Sequence, residues 1–350
     1  MKKILFSGEL PPKSVHGVSF SNEINLRILS ERFKISIDEE VVDFRFHGKF
    51  DIRKSYNFIR RIFRIIGLSV THKFDYLYIV LSTSTVGAVK TLILISIFKL
   101  FNKSNIITHI HRGDLESFIN KKQVNARVFS LVERLTSSFI VLSSATKTFL
   151  TRRTKADVYV LENTVTHEDF LNVSKGEPSG KFDFIFISNY IEEKGILVLL
   201  ETFARLPKNF VLNCYGSYTD LSLKTKIDEY NKCENIFINS VIHGEEKFER
   251  IYKADALILP SFNEGKPLVL LEAMSVGTPF IATAAGYIRE IPYENYPYIY
   301  EDNTVESLLS QIQEFGTSSD NLTISKLLKE RYLERYSKKT HARQLNEIFR

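Results

Sequence analysis

Short apolar runs alternate with longer segments of helical period along most of the chain. Residues 2–6, 75–81, 105–110, 138–142 and 158–161 have the length and flanking of buried parallel strands. Between them, residues 18–33, with Ile24, Ile28 and Leu29 on one face, and residues 86–101 and 143–150 read as helices. Residues 173–180 mix Ser, Lys, Gly and Pro without apolar periodicity and read as linker. A second series follows, with strands at 182–187, 211–216, 236–238, 256–259 and 279–283. Its helices fall after Lys194, where Ile196, Leu199, Leu200 and Phe203 share a face, and at 220–231, 245–252 and 267–276; amphipathic helices at 322–336 and 340–349 complete the pattern. Two such series predict an α/β architecture, with two Rossmann-like parallel-sheet domains facing a cleft. The expected division is 1–165, a linker at 166–180, 181–336, and a terminal helix at 337–350.

Composition adds limits. A chain of 350 residues, 44% apolar and 25% charged, suits two soluble domains, each with its own core. Cys214 and Cys233 form no metal or redox spacing, and so few cysteines argue for a reducing compartment. The opening MKKILFSGELPP has only three apolar residues before Ser7, too few for a signal peptide. The most apolar segment, 91–100, is interrupted by Lys90 and Lys99 and falls short of a membrane span. These points give a cytoplasmic expectation.

Charge is unevenly shared. The net charge is +6, yet residues 1–165 hold 26 Lys and Arg against 14 Asp and Glu, or +12, which leaves −6 for the remainder. Such asymmetry points to an anionic partner for the first half. Its densest part is 44–73, where Arg45, Lys49, Arg53, Lys54, Arg60, Arg61 and Arg64 interleave with aromatic and aliphatic residues. One reading is a basic helix lying on an anionic membrane surface, peripheral to the inner leaflet. The other is a core-packed helix with a solvated basic face.

One stretch, residues 259–285, departs from a simple core pattern: LPSFNEGKPLVLLEAMSVGTPFIATAA. A buried strand ends at Leu259, a loop carries Glu264 and Gly265, and Pro267 suits a helix start because its missing N–H is not needed there. Gly277 reads as the helix C-cap and Pro279 forbids continuation. Glu264 before the helix and Glu272 within it are therefore expected to edge one pocket at the carboxyl end of a strand, where open α/β sheets bind ligands. On local pattern alone both could be ordinary exposed acids. Similarly, His109 and His111 at a strand end share a face by strand period and could be structural; no third ligand accompanies them for a metal.

The whole segment resembles the E-x7-E motif of glycosyltransferase family four, retaining transferases built from two Rossmann-like domains (the GT-B type). The resemblance implies that His111, with His109 as fallback, reaches the donor sugar, and that Gly17 lets the backbone approach the ligand. It implies that Lys194 contacts the donor diphosphate, with Asn189 standing where an arginine is usual. Arg112, Lys266 or Arg289 are candidates to compensate, and Arg112 and Asp114 could also orient donor or acceptor. Glu264 would hold a donor hydroxyl near the oxocarbenium-like centre, Glu272 would accept from the ribose hydroxyls, and Gly265 and the amides of Lys266, Leu268 and Val269 would line the phosphate. Loops at 215–218 and 243–245 would cradle the base. The junction ENTVTHEDF matches at Asn163, Val165 and Phe170, whereas Thr164 and Thr166 replace Gly and Asp. In the resembling fold the last helix crosses back to the first domain.

No Asp-x-Asp occurs, so a metal-independent site with no cofactor is expected. The implied function is transfer of a sugar from a nucleotide-sugar donor to a glycan or lipid-linked acceptor, in bacterial cell-surface polysaccharide or glycolipid synthesis, with no nucleic-acid partner. Alternatives are a nucleotide-sugar epimerase or phosphorylase on the same plan, or a silent homologue that binds a partner or membrane.

Overall fold

The computed structural model describes the chain apart from residues 15, 42–51, 83, 112, 114, 166–179 and 219–220. It divides into two units, Met1–Asn163 with His341–Arg350, and Thr164–Thr340. Most of the expected 166–180 linker lies outside the described residues.

Unit 1 runs β1 (Lys3–Glu9), α1 (Gly17–Ser30), β2 (Lys34–Glu40), α2 (Ile52–Thr71), β3 (Tyr76–Val80), α3 (Thr85–Phe101), β4 (Asn105–Ile110), α4 (Leu115–Lys121), α5 (Gln123–Leu135), β5 (Ser138–Val141), α6 (Ser144–Thr151) and β6 (Asp157–Val160). Its strands are all parallel, in the order β2-β1-β3-β4-β5-β6. The helix starts are built locally: Ser84 Oγ accepts from the Gly87 amide ahead of α3, and Ser143 Oγ from the Thr146 amide ahead of α6.

Strand period sends alternate residues to opposite faces of this sheet. Leu5, Leu77, Ile79, Ile106, Phe139 and Val141 pack beneath α2, α3 and α5. Ile4, Phe6, Tyr76, Tyr78, Ile107 and Ile140 pack beneath α1 and the chain's last helix.

Three of these elements, β2, α4 and α5, are absent from the apolar pattern described above. KISIDEE looks too polar for a sheet, but it is an edge strand, and its one fully buried residue, Asp38, is neutralised. Arg61 Nη2 lies 2.9 Å from the Asp38 carboxylate and Nη1 lies 2.8 Å from that of Glu40, while Ser7 Oγ donates to Asp38 at 2.8 Å. Arg61 is thus no part of a solvated basic face. It is the pin between α2 and the sheet edge, and a buried pair of this kind is costly to break from either side.

Unit 2 runs β7 (Phe182–Ile187), a 3-10 turn (Glu192–Lys194), α7 (Ile196–Arg205), β8 (Phe210–Tyr215), α8 (Leu221–Asp228), β9 (Ile236–Asn239), α9 (Gly244–Lys253), β10 (Ala256–Leu259), α10 (Leu268–Val276), β11 (Phe280–Thr283), β12 (Ile299–Tyr300), α11 (Val305–Thr317) and α12 (Asn321–Arg335). Here α11 and β12 are additions to the pattern reading. The final helix, α13 (Lys338–Ile348), begins at the end of this unit, and its residues from His341 onward belong to unit 1.

The second sheet is also parallel, ordered β12-β11-β10-β7-β8-β9. Successive connections therefore run one way from β7 to β9 and the other way from β10 to β12. The order reverses between β7 and β10, which pair directly, and such a reversal opens a crevice at the strands' carboxyl ends. The junction residue Thr164 is buried, its hydroxyl donating to the Tyr336 carbonyl at 2.6 Å. That bond gives the threonine a role in tying the first residues of the unit to its last helix.

Candidate functional site

The two loops that leave the reversal point carry the candidate residues. After β7 the chain reaches Lys194 on the 3-10 turn and then Gly195, which opens α7. After β10 it passes Ser261, Glu264 and Gly265 and enters α10 behind Pro267, which occupies the cap position, one residue ahead of the helix proper. Lys194 Nζ donates to Glu264 Oε1 at 2.7 Å, and Ser261 Oγ donates to the same oxygen at 2.9 Å. The two loops also share a backbone bond from the Phe262 amide to the Glu193 carbonyl, 2.9 Å.

Two glycines make this approach sterically allowed. Gly195 has φ +71°, and a Cβ there would sit 1.8 Å from the Pro260 carbonyl oxygen. Gly286, at φ +57°, lies so close under the site that a Cβ would fall 1.8 Å from the Glu264 carbonyl oxygen. Both the conformation and the contact exclude a side chain.

Glu272 does not meet Glu264 through any direct bond among the described residues. It is buried on α10 and has its own lysine: Lys247 Nζ on α9 lies 2.7 Å from Oε1 and 2.5 Å from Oε2. Lys247 is absent from the motif reading. Its only sequence signal is a lysine in the first turns of the helix entered from the 243–245 loop, and the pair exists because α9 packs on α10.

The remaining candidates spread out. Asn189 is exposed, and its Oδ1 accepts from Ser217 Oγ at 2.9 Å. Lys266 is buried, with Nζ 3.5 Å from Glu290, and Arg289 pairs with Glu301. Two of the three proposed substitutes for an arginine therefore face glutamates, while Arg112 lies outside the described residues, as does Asp114. Leu268 and Val269 begin α10, where the first amides of a helix have no partner within it.

Unit 1 places its candidates around one polar cluster beneath α1. Gly17 is the exposed first residue of α1. His111 is buried after β4, its Nε2 3.2 Å from Asn22 Oδ1. Asn22 Nδ2 donates to the Glu9 carbonyl at 3.0 Å, which leaves Oδ1 as an acceptor and makes His111 the Nε2–H tautomer. Its ring centroid is 3.8 Å from that of His109, which bonds to the Tyr78 hydroxyl. His341 Nδ1 donates to the Glu162 carbonyl at 2.7 Å. Burial, followed by the neighbouring His16 and His341 charges, pushes His111 down to about 3. Burial likewise lowers His341 to about 4 and holds His109 well below the ordinary range. These shifts favour the neutral imidazole at His109 and His111, whereas His341 has an oxygen at each ring nitrogen, its Nε2 lying 2.6 Å from Asn25 Oδ1. Among the described residues no group of three His, Cys, Asp or Glu side chains could hold a metal ion.

A parallel sheet with Lys194 and Glu264 joined at its reversal point defines a nucleotide-fold unit with a polar site at the helix N-termini. Residues 168–337 match the family model "Glycosyl transferases group 1". An uncharacterized glycosyltransferase of Methanocaldococcus jannaschii is 27% identical over 229 residues, covering 61% of this chain and 60% of the relative. A putative colanic acid biosynthesis glycosyltransferase of Salmonella typhimurium is 26% identical over 159 residues, 42% of this chain and 39% of the relative. The chain thus aligns to less than two thirds of these relatives' own length. Among solved structures, HepE of Anabaena in complex with UDP and glucose superposes with a TM-score of 0.73 at 15% identity, covering 100% of this chain and 99% of that one. Sucrose-phosphate synthase of Thermosynechococcus elongatus gives 0.75 at 14%, covering 99% and 98%. The fold is the two-sheet α/β arrangement of the GT-B type.

Proposed function

We propose that this chain is a retaining glycosyltransferase that moves a sugar from a nucleotide-sugar donor to an acceptor hydroxyl, with no metal required at the diphosphate. The observation that carries the reading is the Lys194–Glu264 pair, held at the point where the strand order of unit 2 reverses.

As the bond between the sugar and the diphosphate breaks, negative charge grows on the leaving phosphate and positive charge on the ring. An ammonium has three donors; one of Lys194's is engaged by Glu264, and two remain for phosphate oxygens. The amides of Leu268 and Val269 and the dipole of α10 add to that cation. Glu264, fixed by Lys194 and Ser261, holds a donor hydroxyl and faces the developing positive centre. Glu272 accepts from the ribose diol; a carboxylate has about four lone-pair sites, so the Lys247 bonds leave capacity for it. His111, neutral with Nε2–H given to Asn22, offers Nδ1 as an acceptor for a sugar hydroxyl.

The acceptor on this reading is a glycan or lipid-linked sugar in cell-surface polysaccharide or glycolipid synthesis, and the protein works in the cytoplasm, peripheral to the membrane. No helix among the described residues is long and apolar enough to cross one. UDP sugars are the first donors to try, since one structural neighbour is HepE of Anabaena in complex with UDP-glucose. The test is a thermal-shift screen over UDP, GDP, ADP and CMP sugars, followed by calorimetry on wild type, Glu272→Ala and Lys194→Ala. Weaker binding in both variants supports the site; unchanged affinity in both removes it.

A further inference from the structure

The helix layer on one face of the unit 1 sheet has an outer side that nothing in the described chain covers. Each helix buries one side in the core, through Ile65 of α2, Leu94, Ile95 and Phe98 of α3, and Phe129 and Val132 of α5. On the opposite side each carries apolar residues seven apart, which align them along the helix. On α2 these are Tyr56, Phe63 and Val70, with Ile59 beside them; Phe63 is 69% exposed. On α3 they are Val86, Ile93 and Leu100, the last 79% exposed, and on α5 Val124 and Leu131. The three helices pack in sequence, α2 on α3 and α3 on α5, so the stripes lie side by side.

Exposed basic residues flank the stripes: Arg60 and Arg64 on α2, Lys99 on α3, Arg127 and Arg134 on α5. Lys90 sits over the Phe58 ring, at 5.2 Å, in the seam between α2 and α3. Residues 52–103 hold nine Lys and Arg against the single acid Asp75. The aliphatic and aromatic residues of α2 are therefore not confined to the side away from its arginines, as the basic-helix reading expects.

We propose that the outer side of the α2–α3–α5 layer seats on an anionic lipid surface, its arginines and lysines meeting headgroups while Tyr56, Ile59, Phe63, Val86, Ile93 and Leu100 enter the interfacial zone. Charge complementarity selects this occupant. A second copy would bring two faces of the same sign together, and a nucleic acid offers no apolar depth for Leu100 or Val86. A bilayer interface accepts both, since basic residues are attracted to its anionic surface and apolar side chains bury behind them. This deepens the membrane part of the reading above, yet it rests on a surface separate from the Lys194–Glu264 site.

The experiment is co-sedimentation of the full chain with phosphatidylcholine vesicles, with and without phosphatidylglycerol, at low and high salt. Wild type is expected to bind the anionic vesicles, to release at high salt and to ignore the neutral ones. Arg60→Glu with Arg64→Glu, and separately Phe63→Ser with Leu100→Ser, should each weaken binding at least tenfold while leaving the melting temperature and UDP-sugar binding unchanged. No binding of wild type at low salt, equal binding to neutral vesicles, or full binding by either variant overturns the proposal. So does a concentration-dependent dimer that Phe63→Ser abolishes, which would give the face to a second copy. Because the readout is vesicle binding and not sugar transfer, either reading can fail while the other stands.

Discussion

Lys247 Nζ lies within 2.7 Å of both oxygens of Glu272, so the second glutamate of the motif is held by a lysine from the preceding helix. The pair is mostly buried, and removing one partner leaves a desolvated charge without compensation. Lys247→Met should weaken nucleotide-sugar binding by about tenfold, comparable to roughly one lost charge-assisted hydrogen bond. Lys247→Arg should recover part of it. Calorimetric titration of the two variants and of Glu272→Gln checks this, and full affinity in Lys247→Met would disprove the coupling.

Lys194 donates to Glu264 in the structure, and on the proposed function it also meets the leaving diphosphate during reaction. Lys194→Met should therefore lower turnover by about a hundredfold or more, the size seen when one preorganised donor to developing charge is lost. The side chain is about a quarter exposed but its partner Glu264 is buried, so the melting temperature should fall as well. A single-turnover assay with saturating donor separates this loss from weaker binding.

The approach of the two site loops depends on backbone that no side chain tolerates. Gly286→Ala would place a Cβ against the Glu264 carbonyl in a left-handed conformation, and Gly195→Ala would do the same against Pro260. Each should destabilise unit 2 by about 2 kcal/mol or more, measured by chemical unfolding. A neutral result would mean the loops relax without cost.

Three buried histidines set a direction for the pH dependence. In the unfolded chain they bind protons near pH 6.5; in the native state His111 and His341 wait until about 3 and about 4, and His109 also lies well below. Below pH 6.5 the unfolded state therefore holds more protons, and stability rises with pH across this window. Their contribution is complete above pH 6.5 and is lost as pH falls toward about 3. The melting temperature should drop over that range, and His341→Gln should flatten the drop. An unchanged slope would place the pH dependence elsewhere.

The sequence pattern carried most of this architecture because parallel strands buried on both faces write themselves as short apolar runs. Gly277, at φ +77°, and Pro267 bracket α10 as their chemistry dictates. β2 was hidden because an edge strand needs few apolar residues, and its buried Asp38 looks like a surface acid until Arg61 is seen beside it. α5 was legible in principle, with Val124, Val128, Leu131, Val132 and Leu135 at helical spacing. Of the site, the motif exposes Lys194, Glu264 and Glu272, but Lys247 is joined to Glu272 only by the packing of two helices. No local spacing encodes such a contact, nor the Asn22 bond that sets the tautomer of His111.

The first sheet is finished by the last residues of the chain. His341 reaches the Glu162 carbonyl, and the Phe349 ring packs against Phe33, Tyr76 and Tyr78 across the face that α1 covers only in part. On the ribosome, domains usually fold in the order they emerge. Here the continuous segment Thr164–Thr340 is free to fold as soon as it is out, while the segment made first must wait with Tyr76 and Tyr78 uncovered until translation has passed residue 349. The unit synthesised first is completed only after the one that interrupts it, so its uncovered face is exposed to aggregation or to chaperones for as long as unit 2 takes to be made.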